Sequence, residues 1–372
     1  MKVSLKVLVL TFILAFVFNV NPVYSAQVHR IQPGETLHTI AQQYGISINE
    51  LVSQNGYLRD QNLVAVNQVL IVPTKDSSQS SIGNTYEVQP GDSLYLISQK
   101  LGVTMAKVAE ENKLENWDYL YIGQILKFPA KEAPKQEAPK QQVYKQTAPE
   151  PIAQYTISEL AKMFSENFYL RGPAGGAKVA LTFDDGPDGK YTGQVLDVLK
   201  KYGALATFFL IGEKSIRFSE VVDRIDREGH VIGNHSWSHP DLSKVGIERL
   251  NFEIMETERV LEKITGRNTA LIRPPYGAVS KEAIEYMMDL NYKAVNWSVD
   301  SVDWRDRDVD QILINTLPSV RDGGILLFHT AGGEGQSLAA TVAALSEVIY
   351  TLKVQGYEFV TVDELLSIPA YK

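Results

Sequence analysis

The sequence predicts an α/β protein, a parallel strand–helix domain preceded by two small βααβ units. Three observations carry this. Apolar strand-like runs alternate with helical stretches from residue 178 to near the C-terminus. A block of about 45 residues occurs twice before them. A proline-rich spacer separates the two regions. The chain has 372 residues, room for two or three domains. At 44% apolar and 22% charged it is neither disordered nor collagen-like.

At the N-terminus, Lys2 and Lys6 precede an apolar run over 7–18, which Asn19, Asn21 and Pro22 break. That run suits a signal peptide and falls short of the ~20 residues a spanning helix needs. Residues 1–25 are therefore expected to be a signal segment cut after Ser25; the alternative is an uncleaved anchor. Either reading places the remainder outside the cytoplasm, associated with the cell wall. The net charge is −8, which gives no attraction to phosphate backbones and argues against nucleic acid as a partner. No obligate protein partner is evident. Cysteine is absent, so disulfides, Cys-ligated zinc, thiol nucleophiles and lipoprotein-type attachment are all excluded.

The repeat relates 29–73 to 86–129. HRIQPGETL (29–37) aligns with YEVQPGDSL (86–94), Asn55 with Asn112, and QVLIVP (68–73) with QILKFP (124–129). Each copy reads as a strand, a glycine turn, two helices and a closing strand, with Thr36 or Ser93 capping the first helix. The two units span 28–73 and 85–129. They resemble the LysM family, twice and in full. The resemblance implies binding of N-acetylglucosamine glycans, peptidoglycan or chitin, between the loop after the first strand and the loop before the last. Carried over, the contacts are Gly34, Glu35, Thr36 and Leu37 in copy one, and Gly91, Asp92, Ser93 and Leu94 in copy two. For Thr36 and Ser93, plain helix capping is the competing reading.

Residues 130–151 carry one pentapeptide twice (132–136 and 137–141), then Pro149 and Pro151. Proline every few residues without apolar periodicity gives an extended spacer, so both modules are expected to tether the C-terminal domain to its substrate. Residues 156–170, with Ile157, Leu160, Phe164 and Phe168, read as an amphipathic lead-in helix.

The C-terminal domain, 152–372, holds seven strand-like runs: 178–183, 206–211, 230–234, 270–273, 294–299, 325–329 and 358–362. Helical stretches between them include one closed by Gly266 and one over 338–354 stopped by Gly356. The pattern fits a barrel or an open parallel sheet. Polar residues gather where these strands end: Asp184 and Asp185, His235, Arg273, Asp300 and His329. In such folds strand carboxyl ends share one face, so these groups converge. His235 and His239 would share a face on one helical turn, and a carboxylate would complete a two-His, one-carboxylate metal set. Adjacent strand aspartates point to opposite faces, but at a strand end the chain can turn and give them two roles at one site.

Five motifs in order, TFDDGP (182–187), HSWSH (235–239), RPPY (273–276), DSVDW (300–304) and LFH (327–329), resemble the polysaccharide deacetylase family (carbohydrate esterase family 4, the NodB-like domain). The resemblance implies a distorted (β/α)7 barrel that removes acetyl groups from N-acetylated sugars with a divalent metal, zinc by preference. It assigns Asp185, His235 and His239 as metal ligands, Asp184 as general base and His329 as the acid that protonates the leaving amine. The Tyr276 backbone N–H would hold the oxyanion. Arg273 is expected to pair with Asp184, and Asp300 with His329. Leu327 and Trp304 would line the acetyl pocket, and the charged stretch 303–310 reads as a solvated loop. An intact Asp185 favours glucosamine over muramic acid. The expected activity is thus a secreted N-acetylglucosamine deacetylase of peptidoglycan. Open alternatives are a chitin or chitooligosaccharide deacetylase, a xylan O-acetyl esterase, and a non-catalytic glycan-binding wall protein.

Overall fold

A computed structural model of the chain describes residues 25–74, 84–87, 105–112, 125–128, 155–333 and 335–372. The N-terminal apolar run, the spacer, and Gly91, Asp92, Ser93 and Leu94 lie outside the described residues. Among the described residues no helix is long and apolar enough to cross a membrane.

In the first repeat, β1 (Ser25–Arg30) pairs antiparallel with β2 (Val69–Thr74), with Val28 opposite Ile71. Between them lie α1 (Leu37–Gln43) and α2 (Ile48–Gln54). Both helices start where the sequence supplies a capping box, Thr36 with Thr39 and Ser47 with Glu50, which satisfies otherwise orphaned N–H groups. Buried Asn55 then closes the module: its amide donates to the Leu51 and Ile71 carbonyls, and its Oδ1 accepts from Ile71 N. The second repeat reuses the device. There β3 (Asn84–Glu87) pairs with β4 (Ile125–Phe128) beside α3 (Met105–Glu111). Asn112 bonds the Val108 and Lys127 backbones as Asn55 bonds Leu51 and Ile71.

The C-terminal domain begins with α4 (Ile157–Met163), capped by Thr156 and Glu159. The expected lead-in helix is shorter than its apolar spacing suggested. It stops at Met163, and Phe168–Tyr169 leaves as strand β5 to pair with a later strand. Tertiary pairing outweighs helical periodicity there. The remaining strands are β6 (Lys178–Asp184), β7 (Ala206–Leu210), β8 (Val231–Asn234), β9 (Leu271–Ile272), β10 (Lys293–Val295), β11 (Val299–Asp300), β12 (Gly324–His329) and β13 (Glu358–Phe359). All pair parallel, in the order β11-β12-β6-β7-β8-β9-β10-β5, with β13 added to the start of β6. The run expected as one strand over 294–299 is therefore two. β11 is one edge of the sheet and β10 lies next to the last strand at the other, yet only Asn296, Trp297 and Ser298 join them. So short a link forces the sheet to curl round into a distorted barrel whose hydrogen-bonded ladder stays open. The split has a chemical cause: buried Arg273 takes the Val295 and Asn296 carbonyls.

Helices cover the outside: α5 (Tyr191–Tyr202), α6 (Gly212–Arg217), α7 (Ser219–Arg227), α8 (Ile247–Thr265), α9 (Lys281–Asp289), α10 (Val309–Thr316), α11 (Ala339–Val354) and α12 (Val362–Leu366). Strand alternation sorts β6 into two layers. Val179, Leu181 and Phe183 join Leu196, Leu345 and Val348 of the helices, while Ala180 joins Phe209, Leu271, Val295 and Ile325 inside the barrel. Phe183 stacks on Phe208, with ring centroids 5.1 Å apart. At the carboxyl end the inner layer turns polar, with Thr182 and Asp184 on β6 and, beside them in register, Leu327 and His329 on β12.

Candidate active site

Asp184 is the last residue of β6, and Asp185 follows it with φ +67°. That left-handed step breaks the alternation which would send the second carboxylate to the far face, so both aspartates reach the same rim. Left-handed backbone recurs around this rim in residues other than glycine: Ser236 (φ +67°), His239 (φ +62°), Tyr276 (φ +59°) and Val302 (φ +54°). Each such position is strained for an L-residue. Their gathering at one end of the sheet marks the place where geometry has been favoured over stability.

His235 follows β8 directly. The helical turn expected to carry His235 and His239 is absent: 235–246 is a loop among the described residues. Its shape comes from short polar links and the two left-handed residues. Asn234 Oδ1 accepts from Ser236 N at 2.9 Å, and Ser236 Oγ accepts from His239 N at 3.0 Å. Glu253 on α8 is fully buried beneath it and accepts from the backbone N–H of Trp237 and Ser238, each at 2.8 Å. Sequence reading passed over Glu253, since a single glutamate in an amphipathic helix carries no motif.

Candidate ligand atoms of Asp185, His235 and His239 lie within 4.8 Å of one another. His235 Nδ1 donates to the Arg273 carbonyl at 2.7 Å. A carbonyl only accepts, so Nδ1 carries the proton and the Nε2 lone pair is left facing Asp185 Oδ1 at 3.4 Å. His239 Nε2 lies 3.1 Å from the same oxygen. Asp185 Oδ1 is buried without a hydrogen-bond partner. Two imidazoles and an orphaned carboxylate oxygen pointing at one spot fit a divalent cation.

Asp184 is held from the other side. Arg273, fully buried, donates Nη1 to Asp184 Oδ1 and to Thr182 Oγ1, each at 2.8 Å. Its Nε donates to the Val295 carbonyl, and its guanidinium lies 4.2 Å from the centre of the Phe209 ring. The guanidinium thus spends its donors on fixed acceptors, as a buried charge must.

The pairing expected between Asp300 and His329 is not found. His329 Nδ1 meets Asp303 Oδ1 at 2.7 Å, and the other Asp303 oxygen accepts from His329 N at 3.0 Å. Asp300 instead accepts from Val302 N at 2.8 Å. The physical reason is the left-handed Val302, which reverses the chain after β11 and brings Asp303 inward. Asp303 is 2% exposed, so the start of 303–310 is not the solvated loop its charge suggested. The DSVDW motif contained both aspartates, and spacing alone could not choose between them. Burial opposes charge on His329, yet Asp303, with Asp185 and Asp184 behind it, pushes the imidazole up to about 10. Burial, with Asp303 and Asp184 nearby, pushes the Asp300 carboxyl up to about 6 against the Val302 N–H and His329.

Tyr276 is 51% exposed, with its ring 4.5 Å from that of His239, centre to centre. Trp304 is partly buried in the loop after β11, and Leu327 is buried two residues before His329 on the same strand face. In the first repeat, Gly34 and Thr36 lie at the turn before α1, but Leu37 is buried in the module core. The first position of an amphipathic helix faces its own core, so the Leu37 side chain is not offered to a ligand.

A model of the polysaccharide deacetylase family matches residues 171–295, and one of the LysM domain matches 29–73 and 86–129. Over 201 residues the chain is 43% identical to a peptidoglycan-N-acetylglucosamine deacetylase of Bacillus cereus, an alignment covering 54% of this chain and 72% of that protein. The chain belongs to the polysaccharide deacetylase family. It is also 35% identical over 203 residues to the peptidoglycan-N-acetylmuramic acid deacetylase PdaA of Bacillus subtilis, covering 54% of this chain and 74% of the other. Against PgdA of Listeria monocytogenes, 39% identical over 188 residues, the match spans only 38% of the relative's length. Among solved structures, the Bc1960 peptidoglycan N-acetylglucosamine deacetylase, in complex with 4-naphthalen-1-yl-N-oxidanyl-benzamide, superposes with a TM-score of 0.55 at 39% identity, over 57% of this chain and 98% of that one. As a member of this family the chain is a hydrolase, with a candidate divalent-metal site at Asp185, His235 and His239.

Proposed function

We propose that the protein is a secreted, wall-associated deacetylase that hydrolyses the N-acetyl group of N-acetylglucosamine residues in peptidoglycan. One observation carries this reading. At one end of the sheet a carboxylate–arginine pair and a carboxylate–histidine pair flank a cluster of two histidines and a buried carboxylate. That arrangement offers a proton acceptor and a proton donor on either side of an electrophilic centre.

Asp184, oriented by Arg273, takes a proton from the attacking water. Asp185, His235 and His239 would hold a divalent cation, zinc for this donor set, which when bound would supply Lewis-acid polarisation and a lowered pKa for water. The Tyr276 backbone N–H is the candidate oxyanion donor. His329, kept as imidazolium by Asp303, gives its proton to the nitrogen as the C–N bond breaks, so that an amine and acetate leave. Leu327 and Trp304 are the candidate walls for the acetyl methyl, and Asp300, which accepts from Val302 N, adds a carboxyl near Asp303 and His329.

The substrate follows from two lines of support. LysM modules point to N-acetylglucosamine glycans, and the Bacillus cereus relative at 43% identity bears that substrate in its name. The N-terminal basic and apolar pattern supports export, and Gly34, Thr36, Gly91, Asp92, Ser93 and Leu94 are the candidate glycan contacts. Chitin oligosaccharide is the second reading, since the same modules and chemistry would serve it.

The test is to treat purified peptidoglycan with the zinc-loaded protein, digest with a muramidase and identify by mass spectrometry which sugar lost acetyl. Loss from glucosamine is expected. Loss from muramic acid alone, or from chitopentaose but not peptidoglycan, overturns the substrate; Asp184→Asn with undiminished turnover overturns the mechanism.

A further inference from the structure

From sequence the two repeats look like equal tethers. The structure builds the first one onto the catalytic domain. Its two-stranded sheet has two faces: by alternation, His29, Leu70 and Val72 lie on one, and Val28, Arg30, Val69 and Ile71 on the other. His29 meets Tyr44 and Glu35 of its own module. Arg30, on the opposite face, reaches the barrel helices, with Nε 2.8 Å from Glu347 on α11 and Nη2 2.7 Å from Asp310 on α10. Val69 and Ile71 are fully buried, in one continuous apolar cluster with Val348, Leu352 and Ile312. Backbone groups are engaged too. Val69 N donates to Thr351 Oγ1 at 3.1 Å, and Tyr350 OH donates to the Val66 carbonyl at 2.8 Å. Gln355 Oε1 accepts from Arg59 N and Asp60 N, and its amide donates to the Leu63 carbonyl.

Among the described residues, the second repeat lacks this face. In the same register Val28 and Ile71 become Thr85 and Lys127, and Arg30 and Val69 become Glu87 and Ile125. A glutamate at the position of Arg30 would oppose Glu347 and Asp310, and Lys127 is exposed where Ile71 is buried. The inward positions keep their character: Leu126 is buried as Leu70 is. The copies therefore differ on the docking face while sharing the fold.

We propose that the first repeat is a fixed wall of the catalytic body, a positioning element for its acid residue, and that the second repeat cannot take its place. The path is short. Arg30 grips Asp310 in the first turn of α10. From the last turn of α10, Asn315 donates to the Ser301 carbonyl and to Asp306, at 3.1 and 2.8 Å. That loop carries Asp303, the partner of His329. Docking stands on the contacts alone; the positioning step rests on the function proposed above.

The experiment uses the full chain carrying Arg30→Glu and Ile71→Lys, the residues of the second repeat. Amide hydrogen exchange over α10 and α11 should quicken by about tenfold or more, with the second repeat unchanged. The alkaline limb of turnover on a soluble N-acetylglucosamine oligomer should move to lower pH. Adding Glu347→Arg to Arg30→Glu should restore both readouts. Unchanged exchange in α10 and α11 overturns docking. Faster exchange with an unmoved alkaline limb overturns the positioning role. If the double variant fails to fold, Arg30→Glu alone and its charge exchange decide, and wild-type protection in that single variant overturns docking. No acetate release even from the unaltered chain sinks the proposed function while exchange still reports on docking.

Discussion

Asp303→Asn isolates the pairing that sequence reading misassigned. The substitution keeps the shape of the side chain and removes the charge 2.7 Å from His329 Nδ1. With Asp303 present the imidazole is pushed up to about 10; removing that charge takes away its main raising partner and lowers it, leaving only Asp185 and Asp184 to oppose burial. At pH 8 an imidazole back at its ordinary 6.5 is only about 3% protonated, so a step needing imidazolium slows by up to roughly 30-fold. Near pH 5 the loss should be much smaller. The assay is acetate release from a soluble N-acetylglucosamine oligomer between pH 5 and 10, read as kcat/KM. A stability measurement gives an independent sign. A histidine raised on folding contributes its full stabilisation below pH 6.5 and loses it as pH climbs toward 10. The variant's deficit in urea should therefore be largest at acidic pH and close as pH rises. An alkaline limb that does not move would refute His329 as the acid; Asp300→Asn moving it as far would refute the assignment to Asp303.

Chelation should abolish turnover while shifting Tm little, because the cluster ties a loop to a strand end and the core below is already filled; a large Tm shift in calorimetry would contradict this. Glu253→Ala leaves the N–H groups of Trp237 and Ser238 without their carboxylate acceptor, costing about 1–3 kcal/mol in urea unfolding. Zinc affinity, measured by titration calorimetry, should fall with it, since that loop holds His235 and His239. Tyr276→Gly should relieve about 1 kcal/mol of left-handed strain, yet lower turnover by removing the ring beside His239; a stabilised and fully active variant would leave Tyr276 without a role. Asn55→Ala should cost about 1–3 kcal/mol by orphaning the Ile71 and Leu51 backbone groups, visible as faster exchange at β2.

Local signals carried a great deal here. The repeat and its asparagine, the capping threonine of α1, and the glycines ending α8 and α11 are read within a few residues of one another, where spacing fixes geometry. The family followed from five motifs in order, because each marks a strand end and parallel strands bring their ends together. What failed were matters of direction. Whether Asp300 or Asp303 meets His329 depends on one left-handed valine, and whether His235 and His239 share a helix or a loop depends on Ser236 and a buried glutamate on another element. No periodicity records such steps.

The sequence by itself therefore pointed to the composition of the site, three aspartates, two histidines, an arginine and a terminal histidine at or beside the ends of parallel strands, preceded by a duplicated LysM module. Only the tertiary structure decided which carboxylate partners which base, and that the first repeat is docked on α10 and α11. The reason is physical. Residue identity and spacing set what a side chain can do and which way a regular element faces. Pairing across elements depends on backbone turns and on surfaces that meet only once the sheet has curled and the module has settled on α10 and α11.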